Sequence, residues 1–275
     1  MRHGLHLISG LPRSGSTLLS AILAQNPRFH AMMTSPVGSL YLSMLSAVSR
    51  SNDTAVFIDE GQRRALLTGV FWNYYYKIGE EKIIFDTNRM WCSKMPSIST
   101  QFPEAKVICC VRSIPWIMDS FERLCQNNPT ELSGIFGFDP GGTVYSRINR
   151  LATSEGLVGF ALDALREAFY GDFADRLILV CYEALARAPR ETLAEIYDFI
   201  GEPWFEHDFD HVQYDADAFD LPLGTPGLHR VRPKVASIER RTVLPPDLFA
   251  RFDNDAFWIH PQLNPRQVRI IPPPS

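Results

Sequence analysis

Between an apolar run, Leu5–Ser9, and a helical pattern starting at Thr17, the sequence reads Gly10-Leu-Pro-Arg-Ser-Gly-Ser-Thr17. A strand, a glycine-flanked turn and a helix in immediate succession require a tight backbone reversal. Its successive N–H groups point into one concavity, and the helix N-terminus adds positive potential there. Such a loop binds phosphate, and its natural place is the C-terminal edge of a parallel sheet. Ser14, Ser16 and Thr17 each bring a hydroxyl to it.

The remaining chain repeats the alternation that a parallel sheet needs. Apolar runs at Leu5–Ser9, Arg28–Met32, Lys82–Asp86, Lys106–Arg112 and Leu177–Tyr182 read as strands. Helical periodicity fills the intervals at Thr17–Gln25, Val37–Ser49, Glu60–Ile78, Ser93–Gln101, Pro115–Gln126, Thr143–Tyr170 and Arg190–Ile200. Strand and helix in alternation predict an α/β fold, a three-layer α/β/α sandwich of the P-loop NTPase type, with a central parallel sheet of about five strands. A single domain over residues 1–275 accounts for the length. Ligands bind such sheets beyond the carboxyl ends of the strands, which gathers Ser9–Thr17, Asp86–Arg89 and Arg112–Ser120 on one rim. Asn127–Gly142 and Asp215–Lys234 lack a clear period and read as long loops of the kind that carry function.

Composition narrows the partners. A formal net charge of −4 provides no bulk basic field, so nucleic acid is not an expected partner. Five cysteines without a Cys-x-x-Cys spacing suggest neither a disulfide framework nor a zinc site. No apolar run approaches the roughly 20 residues of a membrane span. The opening residues lack the apolar core of about seven residues that a signal peptide carries, so a cytoplasmic location is expected.

The loop departs from that of a nucleotide hydrolase or P-loop kinase in an informative way. Those enzymes place a lysine before the final Ser/Thr, and here that position is Ser16. The cation has moved to Arg13, behind Pro12. The strand Val107–Val111 ends in Arg112, where a magnesium enzyme keeps an acid. A guanidinium at a strand end seeks an anion rather than a metal. Eight residues on, Ser120 faces back from the next helix, so Arg112 and Ser120 can clamp a second phosphate. Two anion sites on one rim suit a nucleotide phosphorylated at both its 5′ and 3′ positions.

At this point the sequence resembles the PAPS-dependent sulfotransferases, and among them the tyrosylprotein type. The likeness runs from Leu5 to Trp204. It rests on Gly10–Leu18, on Phe102-Pro-Glu-Ala-Lys-Val with Val111-Arg112 and Ser120, and on Val180-Cys-Tyr182-Glu183-Ala-Leu185 followed by Pro189. The resemblance implies a single sulfotransferase domain that uses PAPS, releases PAP and needs no metal. Arg13, Ser14, Gly15, Ser16 and Thr17 would hold the phosphosulfate, Arg112 and Ser120 the 3′-phosphate, and Tyr182 the adenine. The acceptor would be a hydroxyl. A tyrosine-containing peptide comes first, with small-molecule, sugar and lipid hydroxyls beside it. A kinase or a non-catalytic nucleotide-binding protein stays as the alternative. The sequence leaves an oligomer open.

The base is the gap in the pattern. Tyrosylprotein enzymes carry a glutamate after the second strand, whereas this chain has Met32-Met-Thr-Ser-Pro36. Arg89 is expected to replace the family's lysine as a catalytic cation, and Asp86 to act as base or orient the acceptor, unless Asp86 caps a helix or pairs with Arg89. Asp59 and Glu60 are further base candidates that double as helix caps. His229, Arg230, Arg232, Lys234, Arg240 and Arg241 are candidates to close over the 3′-phosphate. The aromatic run Phe71-Trp-Asn-Tyr-Tyr-Tyr76 suits a core more than an acceptor cleft.

Overall fold

The computed structural model describes residues 4–49, 52–214 and 216–274. Its centre is a sheet of six parallel strands: β1 (Leu5–Gly10), β2 (Phe29–Ala31), β3 (Ile83–Thr87), β4 (Val107–Val111), β5 (Leu177–Cys181) and β6 (Arg269–Ile271). They are ordered β2-β3-β1-β4-β5-β6. Every residue of β1, β3, β4 and β5 is buried, because helices cover both faces. That explains why these strands read as unbroken apolar runs. Full burial of Leu7, Ile8 or Ile108 contributes about 1.5–3 kcal/mol each.

The covering helices are α1 (Ser16–Leu23), α2 (Val37–Ala47), α3 (Glu60–Tyr74), α4 (Met95–Gln101), α5 (Ile114–Asn127), α6 (Val144–Ala152), α7 (Leu157–Tyr170), α8 (Tyr182–Arg187) and α9 (Pro189–Ile200). The α/β/α expectation holds, with corrections in detail. The sheet has six strands rather than about five, because three residues of β6 pair with β5 from Ile178 to Val180. The run Thr143–Tyr170 divides into α6 and α7. Gly156 lies so close to α6 that a Cβ there would collide with the carbonyl of Arg150. A 3-10 turn, Arg89–Lys94, precedes α4. Of the two predicted loops, the first holds a 3-10 turn at Gly134–Phe136 and the second a short helix at Asp217–Asp220. Asp215 lies outside the described residues. Among the described residues no helix is long and apolar enough to cross a membrane.

Candidate functional site

The carboxyl ends of β1, β3, β4 and β5 open into a cleft of about 960 Å³. The segment after α9, residues 217–240, runs back across its mouth and contributes much of its wall. The glycine loop forms the floor. Gly10 has φ 109°, and a Cβ there would collide with the backbone of Cys110 on β4. Arg13 also adopts a left-handed backbone, φ 57°, at a cost of about 1–2 kcal/mol for a side-chain-bearing residue. Two contacts compensate: Arg13 Nε donates to Ser120 Oγ at 2.9 Å, and Arg112 Nη1 donates to the Arg13 carbonyl at 3.4 Å. Gly15, φ 96°, begins α1 without a side-chain cap, so the first-turn N–H groups stay available to an anion.

Arg13, Gly15, Ser16 and Thr17 line the cleft as expected. Ser14 needs a correction. Its hydroxyl is buried and donates to the carbonyls of Leu11 and Cys110 (2.9 Å to the latter), so it braces the loop against β4. Only its backbone N–H remains for a ligand.

The residues expected to form a second anion site adjoin the glycine loop. Arg112 leaves the end of β4 with its guanidinium 4.2 Å from the centroid of the Tyr182 ring and 3.7 Å from Glu183 Oε1. On its other side the ring meets Gly15, where a Cβ would sit 3.0 Å from Tyr182 Cδ2. Tyr182 is thus pinned between the loop and Arg112, and it lines the cleft. Ser120, on the second turn of α5, joins the two sites through Arg13. Arg240 reaches the same corner from the return segment. Burial, then the nearby charges of Arg112 and Arg240, pull the Arg13 guanidinium down to about 10. Three cations in mutual reach make a corner that favours anions.

Asp86 does not occupy the place expected of a base. It is fully buried and absent from the cleft wall. Its carboxylate accepts from Tyr75 Oη at 2.6 Å, Trp91 Nε1 at 2.9 Å and Ser35 Oγ at 2.5 Å. Burial holds its pKa above the usual carboxylate range. These three partners tie β3 to α3 and to the segment before α2, and no pairing with Arg89 forms. Arg89 itself is exposed and lines the cleft, and desolvation by the surrounding protein lowers its pKa. Asp59 caps α3 in a reciprocal capping box with Gln62, and Glu60 pairs with Arg63. Of the aromatic run, Phe71 and Tyr75 are core and none lines the cleft.

A different group stands where a base is needed. His229 lines the cleft, and its Nδ1 lies 2.6 Å from Oδ1 of the buried Asp220, whose Oδ2 accepts the His229 backbone N–H at 2.8 Å. Only a protonated Nδ1 can donate to that carboxylate, so the Nε2 lone pair is left free. Burial lowers the His229 pKa; Asp220 opposes the shift, and the charges of Arg13 and Arg89 reinforce it. The shift favours the neutral imidazole, which lies within electrostatic reach of both arginines. The other basic candidates divide. Arg230, Arg232 and Lys234 line the cleft, with Lys234 paired to Asp210 at 2.8 Å, whereas Arg241 does not. The sequence exposed His229 only as one member of a basic stretch, because the pairing with Asp220 is made by a fold-back of nine residues.

The model of the Sulfotransferase family matches residues 7–206. The chain is also similar to two solved structures. One is the sulfotransferase domain from the curacin biosynthetic pathway, at 14% identity and TM-score 0.51, with 100% of this chain and 94% of that one covered. The other is a sulfotransferase from Alicyclobacillus acidocaldarius, at 14% identity and TM-score 0.51, with 93% of each chain covered. At such identity the structural likeness bears on the fold alone.

Proposed function

Because this chain belongs to the sulfotransferase family, with PAPS as the sulfuryl donor that family implies, we propose that it transfers the sulfuryl group to an acceptor hydroxyl with His229 as the base. The observation that carries this reading is the Asp220–His229 pair opening on the same cleft as Arg13 and Arg89. The glycine loop and the uncapped N-terminus of α1 hold the phosphosulfate. Arg112 and Ser120 hold the 3′-phosphate, and Tyr182 packs beside the adenine. His229 Nε2 takes the acceptor proton as the acceptor oxygen bonds to sulfur. The bond from sulfur to the 5′-phosphate oxygen breaks, and Arg13 with the loop N–H groups receives the charge on that phosphate. Arg89 orients the sulfonate. Asp220 holds the imidazole tautomer and steadies the imidazolium that forms.

A peptide tyrosine, from the tyrosylprotein resemblance, is the first acceptor in this reading. Phenols, sugars and lipid alcohols stand beside it. A cytoplasmic setting, with all five cysteines as free thiols, belongs to the same proposal.

Incubation with sulfur-labelled PAPS and a panel of these acceptors tests the reaction. His229→Asn is expected to lower kcat by about 10²–10⁴-fold, the usual contribution of a general base, with PAP affinity retained. Undiminished turnover in that variant removes His229 from the mechanism. Thermal stabilisation by ATP–Mg but not by PAP would sink the donor assignment.

A further inference from the structure

Asp119 immediately precedes Ser120 on α5 and is fully buried. A buried carboxylate is stable only when its oxygens are satisfied, and this one accepts from three donors and pairs with a fourth, cationic group. One oxygen accepts from Arg123 Nε at 3.0 Å and forms an ion pair with Arg240 Nη2 at 2.7 Å, a nitrogen that is buried without a hydrogen-bond partner. The other takes the Val243 backbone N–H at 2.7 Å and Thr242 Oγ1 at 3.1 Å. A single side chain thus fastens both the cation and the main chain of the return segment to the helix that carries Ser120.

The place where Arg240 is held matters for the donor. Its guanidinium lies 5.7 Å from the Trp116 ring centroid and lines the cleft together with Arg112 and Ser120. Burial and the charge of Arg112 lower its pKa, while Asp119 acts in the opposite sense. The carboxylate paired with Arg112 is Glu183, at 3.7 Å. Two guanidinium groups brought together against their repulsion, each with a carboxylate behind it, make a seat for a dianion. Arg240 and its segment lie beyond the stretch that the family model matches.

We propose that Asp119 is a positioning residue for donor selection, holding Arg240 as the return-segment half of the clamp that separates a 3′-phosphorylated nucleotide from one with a 5′-phosphate alone. The proposal rests on the PAPS reading above. With Asp119 in place, Arg240 meets the 3′-phosphate opposite Arg112 and Ser120. Without its carboxylate charge, the guanidinium swings free and that phosphate is bound from one side.

Calorimetric titration with PAP and with AMP tests this on the whole chain. The wild type is expected to bind PAP more tightly than AMP. Asp119→Asn keeps an oxygen for Thr242 and Val243; it is expected to weaken PAP by about 10-fold or more, the scale of one charged hydrogen bond, and to leave AMP within about 2-fold. Arg240→Gln is expected to do the same, and the double variant to lose no more than Arg240→Gln alone. Equal weakening of PAP and AMP in Asp119→Asn, or full additivity in the double variant, overturns the positioning role. Should Asp119→Asn fail to fold, Arg240→Gln carries the test, and unchanged PAP affinity there overturns the proposal. A wild type that does not prefer PAP removes the donor reading itself, and the clamp with it.

Discussion

Arg13 concentrates the chemistry of this cleft in one residue. Its backbone is left-handed, its Nε is fixed on Ser120, and its pKa is lowered to about 10 by burial and by two neighbouring arginines. A cation kept under such repulsion gains most from an anion whose charge grows during the reaction. Arg13→Ala is expected to lower kcat by about 10²–10³-fold, comparable to loss of an oxyanion-hole donor, with a smaller change in PAP affinity. Steady-state kinetics beside PAP titration separates the two, and equal losses in both would make Arg13 a binding residue only. Arg13 was legible in the sequence because its loop is eight consecutive residues in a strand–helix junction. Asp86 misled for a related reason. A carboxylate at the end of a strand reads as part of the rim, but its direction is set by partners at Ser35, Tyr75 and Trp91, which sequence spacing does not join.

Among the elements, β1 joins the catalytic loop to the stability of the sheet. His6 on β1 is buried, and its Nδ1 accepts the Lys106 backbone N–H at 3.2 Å just before β4. An imidazole that accepts there must be neutral, and burial followed by the Lys106 charge lowers its pKa to about 4. His207 is buried as well and is lowered to about 4. The unfolded chain takes up these protons near pH 6.5 and the folded one near pH 4. Their contribution is therefore complete above about pH 6.5 and is lost as pH falls from there toward 4. At 1.36 kcal/mol per unit, His6 alone accounts for roughly 3 kcal/mol over that window. Urea unfolding at pH 7 and pH 5 is expected to show a smaller acid loss in His6→Gln than in the wild type. An identical pH dependence would mean that His6 is protonated in the folded state without penalty. Strands of this kind were legible because both faces are covered. β6 was not, since three residues beside Pro272 carry no period to read.

For the whole molecule, sequence and structure agree where function is carried by neighbours along the chain and diverge where it is carried by a return. The glycine loop, Arg112 and Tyr182 sit at strand ends, with Ser120 on the helix that follows β4, and a parallel sheet brings strand ends together whatever the loops do. The Asp220–His229 pair and the Asp119–Arg240 pair depend on where residues 217–243 come back, and no local pattern encodes that path. On the proposed reading this one returning segment would carry both a group for the acceptor proton and a group for the donor's far phosphate, since it holds His229 against Asp220 and Arg240 against Asp119. Its seating then imposes a sequence of events. On the proposed reading the nucleotide enters first, against the Arg240 that Asp119 already holds, and the acceptor follows at His229; departure runs in reverse, with the spent nucleotide last. Product-inhibition patterns would register this compulsory order as PAP competing with PAPS but not with the acceptor, and competition against both would mean random entry.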